Sequence, residues 1–171
     1  MIISLLGYMG SGKTHISKNL SVKTNYKLID LDEEIIRKNQ KSISEIFADR
    51  GEIYFRKQEK EILDEILAKS EDIILSLGGG TPAYYNNMEM INKKSTSIYL
   101  RANISTLTER ILKEKEKRPL IAKISEEDLP EYIAKHLFER NFFYNQAQFT
   151  ISTDAKSAEE IVNEIERLVF V

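Results

Sequence analysis

The sequence predicts a three-layer α/β fold, a five-stranded parallel sheet with helices on both faces, from three observations. Short runs rich in Ile, Leu and Val recur as IISLL, YKLIDLD, DIILSL, TSIYL and FTIST. Each is followed by a longer segment with helical periodicity, the order that parallel strands joined by crossover helices produce. No repeat, Pro-rich linker or low-complexity tract breaks the 171 residues, so one domain is expected over residues 1–171.

The composition narrows the function classes. With 42% hydrophobic residues the chain can bury a sizeable core, and no apolar stretch approaches the roughly 18 residues of a membrane span. The opening MIISLLG lacks the basic start of a secretory signal, so a cytoplasmic protein is expected. The absence of cysteine excludes disulfides, thiolate metal sites and a cysteine nucleophile. A formal net charge of -2 gives no footprint for nucleic acid or an acidic membrane. Small-molecule partners and a monomer are expected, and the NIS at Asn103 is a chance match to a glycosylation acceptor.

Taken in chain order, the first strand IISLL runs directly into GYMGSGKT, Gly7 to Thr14, and then into the helical THISKNLSVKT. This is G-x-x-x-x-G-K-[ST] in the strand-to-helix setting that the motif requires. Its glycines let successive N–H groups curl inward as a phosphate cradle, and the helix N-terminus favours an anion there. The nucleotide-binding set therefore includes Gly10, Ser11, Gly12, Lys13, Thr14 and His15, with His15 on the helix surface and not a catalyst. Lys13 reaches the β- and γ-phosphates, and the Thr14 hydroxyl holds Mg²⁺, which prefers oxygen ligands. The nearest approach to a guanine-reading N-K-x-D is NKKS at Asn92 to Ser95, which lacks the aspartate, so ATP is the expected nucleotide.

In the second strand, KLIDLD, Leu28, Asp30 and Asp32 fall on one side of an extended chain, with both aspartates at its C-terminal end, where parallel sheets bind ligands. One carboxylate there can serve metal, Asp30, and the other can take a proton from a substrate hydroxyl, Asp32. Alternatively, Asp32 caps the helix that begins EEIIRK. From Ile43 to Leu67 two helical pieces are expected around Gly51, with Ile43, Ile46, Phe47, Ile62, Leu63, Ile66 and Leu67 toward the core and the polar DRGEIYFRKQE facing something else. Within it, Arg56 is followed three residues later by Glu59, which can hold its guanidinium.

The third strand ends in LSLGGGT. Three consecutive glycines, Gly78, Gly79 and Gly80, point to close approach of a ligand to bare amides, with a sharp turn before Pro82 as the other reading. No aspartate stands near Ser76, so the metal relies on Thr14, Asp30 and water. Beyond the fourth strand, KEKEKRPLIAKISEED is the most loop-like segment and carries Arg118, a cation able to neutralise transferred charge from a closing loop. Arg140 in ERNFFY stands four residues before Tyr144, and two arginines converging on one pocket suggest an acidic substrate. The last helix opens with a capping box of Ser157 and Glu160 and buries Ile161, Ile165 and Leu168.

In this order, GYMGSGKT, LIDLD, SISEIFADRGEIYFR, LSLGGG, RPL and RNFFY resemble shikimate kinase over nearly the whole chain. The residues alone reach a P-loop kinase for a small anion; shikimate comes from the resemblance. It implies the P-loop NTPase fold with a mobile lid at about 113–126 and a substrate-binding helical region at about 32–64. It also implies that Asp32, Arg56, Gly78, Gly79, Gly80 and Arg140 hold shikimate, with Glu59 beside Arg56 and with Phe47 and Phe55 as pocket walls that by composition equally suit the core. Arg118 matches the lid arginine and Arg110 the residue that stacks on adenine. The charged ILKEKEK between them and the STDAKS loop, without its usual basic residue, depart from the family pattern.

The expected reaction is transfer of the γ-phosphoryl group of ATP, with Mg²⁺, to the 3-hydroxyl of shikimate, on the route to aromatic amino acids. Lys13 and Arg118 stabilise transferred charge, and Asp32 orients or deprotonates the hydroxyl. The rival readings are another small-molecule P-loop kinase, acting on gluconate or a nucleoside monophosphate, and a non-enzymatic nucleotide switch.

Overall fold

The structure is a computed structural model that describes residues 1–117 and 119–170. Five strands, β1 (Ile2–Leu6), β2 (Lys27–Asp30), β3 (Ile73–Ser76), β4 (Thr96–Arg101) and β5 (Phe149–Ser152), form one sheet in the order β2-β3-β1-β4-β5. Every pairing is parallel, with Ile3 opposite both Ile74 and Thr96 in the register. The α-helices among the described residues are α1 (Lys13–Thr24), α2 (Leu31–Asn39), α3 (Ile43–Leu67), α4 (Asn87–Lys94), α5 (Ile104–Lys113), the short α6 (Pro119–Ala122), α7 (Leu129–Tyr144) and α8 (Ala158–Val169). The five-stranded three-layer expectation is borne out.

Alternation along β1 divides the core in two. Ile3 and Leu5 join Ile16 and Leu20 of α1 and Ile161, Val162 and Ile165 of α8 on one face. Ile2 and Leu6 join the larger cluster made with α2, α3, α4, α5 and α7 on the other. Each fully buried aliphatic side chain contributes about 1.5–3 kcal/mol relative to an exposed one, so both layers hold the sheet strongly.

The helix starts follow the capping chemistry. Ser157 accepts from the Glu160 amide and the Glu160 side chain reaches back, as expected; Ser42 and Glu45 do the same for α3, and Asn103 caps α5 by accepting from the Thr106 amide. In α8 the buried set is Ile161, Val162 and Ile165, while Leu168, expected in the core, is 40% exposed, and Val169 beside it packs against the core instead. α3 spans Ile43–Leu67 as two helical pieces that meet at a kink at Gly51, as expected; its φ of 81° and ψ of 175° are not helical, and its positive φ is one that glycine adopts at little cost. Ile46 is buried on its first half, but Phe47 is not.

The aspartates are placed differently from the expectation. β2 stops at Asp30, whose Oδ1 accepts from the amides of Asp32, 3.0 Å, and Glu33, 3.2 Å. Asp30 is therefore the N-cap and Asp32 the second residue of α2, so the two do not share a face through strand alternation, and Asp32 is not the cap. The cause is local: an aspartate ahead of a turn rich in acidic residues satisfies the free amides and suits the helix dipole better than further extension does.

Candidate active site

The neighbouring strands β1, β2 and β3 end at one edge of the sheet, and a cavity of about 580 Å³ opens over their C-terminal ends. The phosphate loop after β1 forms one wall, the start of α2 another, and the glycines after β3 the floor. This is the edge at which open parallel sheets place ligands.

The loop has the conformation that its glycines predict. Gly12 is the N-cap of α1 at φ 95°, ψ 9°, a geometry that would strain any side chain, and its carbonyl accepts the Ile16 amide to start the helix. Lys13 Nζ donates to the carbonyls of Gly7, 2.7 Å, and Tyr8, 3.0 Å, which keeps the ammonium at the mouth of the cradle. Gly10, Gly12, Lys13, Thr14 and His15 border the cavity, whereas Ser11 is buried and its hydroxyl has no hydrogen-bond partner among the described residues. Thr14 is exposed and offers its hydroxyl to the same space as Asp30.

Asp32 borders the cavity from α2. Burial pushes its pKa up to about 6, the carboxylates of Asp30 and Glu59 add to that, and Lys13 and Arg56 work against it. A carboxylate titrating there is a competent proton acceptor near neutrality.

The triple glycine serves the protein's own charged side chains. A β-carbon on Gly78 would lie 2.9 Å from Asp32 Oδ1, one on Gly79 3.3 Å from an Arg140 Nη, and one on Gly80 2.7 Å from Arg56 Nη2. None of the three has a positive φ, so close approach and not turn strain explains them. The sequence reading expected the approaching group to be a ligand; Asp32, Arg140 and Arg56 already fill that role, with the glycines still bordering the cavity.

Arg140 borders the cavity from α7, and Tyr144 one turn on donates to the Gly79 carbonyl at 2.6 Å. Burial pushes the Tyr144 phenol up to about 12, with Arg140 working against it, so Tyr144 remains a donor at any physiological pH. Arg56 stands behind Gly80, with Nη1 donating to Glu59 at 2.8 Å. Glu59 is only 1% exposed and also accepts from the Thr81 hydroxyl at 2.7 Å, so its charge is buried but paired. Arg110 borders the nucleotide end, donating to the Gly10 carbonyl at 3.2 Å and lying within 3.4 Å of Thr153.

Phe55 belongs to the core, while Phe47 is 37% exposed and stacks on it with ring centres 4.7 Å apart; neither borders the cavity. Arg118 lies outside the described residues. Several contributors were not foreseen: Met9, Ser76, Leu77, Lys113 and Glu114 on the cavity wall, and Thr81, Tyr84 and Thr153 behind the charged groups. The i to i+3 spacing of Arg56 and Glu59 and the i to i+4 spacing of Arg140 and Tyr144 signalled two other partnerships in advance.

A Mg²⁺ ion fits this donor set. No group of three or more His, Asp or Glu converges among the described residues, but Mg²⁺ keeps several waters and takes one or two protein oxygens beside substrate phosphates. The Thr14 hydroxyl and the Asp30 Oδ2 not used in capping are such oxygens.

A family model described as Shikimate kinase matches residues 9–169. A shikimate kinase of Flavobacterium johnsoniae is 49% identical over 164 residues, 95% of either chain, and one of Flavobacterium psychrophilum is 44% identical over 98% of either. The crystal structure of shikimate kinase from Bacteroides thetaiotaomicron superposes with a TM-score of 0.93 at 33% identity, covering 100% of this chain and 99% of the other. That of shikimate kinase from Acinetobacter baumannii in complex with shikimate does so with a TM-score of 0.88 at 28% identity, covering 99% and 92%.

Proposed function

The chain belongs to the shikimate kinase family, and on that premise we propose that the cavity transfers the γ-phosphoryl group of ATP to the 3-hydroxyl of shikimate, giving ADP and shikimate 3-phosphate. It is an ATP-dependent kinase. The observation that carries the residue assignment is the meeting of Lys13, Asp32 and Arg140 on one cavity, a phosphate cation, a proton acceptor and a carboxylate clamp within reach of one another.

The loop amides from Gly10 to Thr14 and the Lys13 ammonium hold the β- and γ-phosphates, and Arg110 and His15 border the nucleoside end. Thr14 and Asp30 would hold Mg²⁺, which when bound would neutralise phosphate charge. Arg140 and Arg56 grip the shikimate carboxylate, with the Gly79 and Gly80 backbone beside them. Asp32 accepts a hydrogen bond from the 3-hydroxyl, fixes one lone pair in line with the γ-phosphorus and takes up the proton as the new P–O bond forms and the bond to ADP breaks. Because such transition states are loose, orientation contributes more than base strength, so Asp32 is an orienter first.

The resemblance assigns Arg118 to the transferred phosphoryl group, within a lid at about 113–126. No helix among the described residues is long and apolar enough to cross a membrane.

The test is product identification after incubation with MgATP and shikimate, by phosphorus NMR and coupled ADP release. A phosphate monoester on the 3-oxygen is expected. Turnover of gluconate or a nucleoside monophosphate with none of shikimate would overturn the substrate assignment. ATP binding with no turnover and no coupling to shikimate in calorimetry would favour a nucleotide switch.

A further inference from the structure

Arg56 is held by more than its ion pair. Its guanidinium carbon lies 3.9 Å from the centre of the Tyr84 ring, while Nη2 packs onto Gly80. Nε is buried without a hydrogen bond among the described residues and faces Glu52 Oε1 at 3.7 Å. The Tyr84 hydroxyl donates to that same oxygen at 2.7 Å. Tyr84 and Glu52 thus form a bracket that joins the residue after the Gly51 kink to the turn behind the triple glycine.

The backbone supplies an independent sign. Tyr85 has a φ of 49°, a strained choice for a bulky aromatic residue, and its side chain is 57% exposed. This positive-φ residue directly follows the ring that covers Arg56.

We propose that Tyr84 is a positioning residue for the acidic substrate: its ring, braced by Glu52, presses the Arg56 guanidinium onto Gly80, which borders the cavity, and so holds it in one orientation directly behind that wall. This rests on the assignment of Arg56 to shikimate. A ring–guanidinium contact in a partly desolvated place is worth roughly three- to twenty-fold in an equilibrium constant.

Steady-state kinetics of the full-length enzyme, with either substrate varied, test the proposal. Tyr84→Leu is expected to raise KM for shikimate about five- to twenty-fold, with kcat and KM for ATP within about two-fold of wild type. Tyr84→Phe, which keeps the ring, restores most of that loss, and the surface change Glu52→Gln gives a smaller increase without threatening the fold. In an Arg56→Ala background, Tyr84→Leu has no further effect. Should Arg56→Ala raise KM for shikimate while Tyr84→Leu and Glu52→Gln leave it unchanged, the bracket has no positioning role and the substrate assignment stands. If Arg56→Ala itself leaves KM unchanged, the assignment of Arg56 fails and the proposal fails with it. A fall in kcat with KM for both substrates untouched also overturns it.

Discussion

Arg56 Nη2 lies 2.7 Å from the point at which a β-carbon on Gly80 would stand, so residue 80 has no room for even a methyl group while the arginine keeps its place. The arginine cannot yield freely, since Nη1 is bound to a buried carboxylate at 2.8 Å. Gly80→Ala should therefore displace the guanidinium and raise KM for shikimate roughly ten-fold, a cost of about 1.4 kcal/mol, and lower the unfolding midpoint as the pair with buried Glu59 is disturbed. A variant with normal KM would show that the arginine has slack.

Asp32 should carry a stability cost at neutral pH. Its pKa is raised from 3.8 to about 6, so its favourable contribution to folding is complete below 3.8 and is lost as pH rises through 6. At pH 8 the penalty is on the order of 3 kcal/mol at most. Asp32→Asn, neutral at all pH, should unfold at higher urea than wild type at pH 8, and the gap should close near pH 4. An equal gap at both pH values would refute the burial argument.

The same titration should appear in catalysis. In wild type, kcat/KM should fall on the acidic side with a limb near pH 6, the value burial confers on Asp32. Asp32→Asn should lose that limb and, with its orienting charge gone, at least about a hundred-fold in kcat/KM. Persistence of the limb in the variant would assign it to another group.

Glu59→Ala removes the carboxylate that accepts from both Arg56 and Thr81. It leaves a buried guanidinium partly uncompensated, so a loss of about 3–5 kcal/mol in unfolding free energy is expected, with KM for shikimate rising in the folded fraction. Chemical denaturation of the unliganded protein measures it. Glu59→Gln, still able to accept from one partner, should fall between.

The sequence made some parts of this molecule legible and concealed others for identifiable reasons. The strand runs, the phosphate loop and the Ser157 capping box are local patterns, each decided within a few residues, and all three appear in the structure as read. Asp30 and Asp32 were misplaced because two local rules compete there, extension of a buried strand against capping of an acidic first turn, and capping prevails. The occupants of the space above Gly78, Gly79 and Gly80 were hidden because they come from α2, α3 and α7, which sequence separates by tens of residues. The cost of a bare glycine was visible; the identity of its neighbour was not. Tyr84 carries no periodic signal at all, and only the fold brings it to Arg56.

The helix α8 contributes three buried aliphatic residues to the face of the sheet shared with α1 and supplies no group to the cavity. Heat tolerance and turnover are therefore adjustable on separate layers: substitutions that fill out or recharge this outer helix can raise the melting temperature of the enzyme without entering its kinetics. An engineer wanting a hardier catalyst has a place to begin at Leu168, on the open side of that helix.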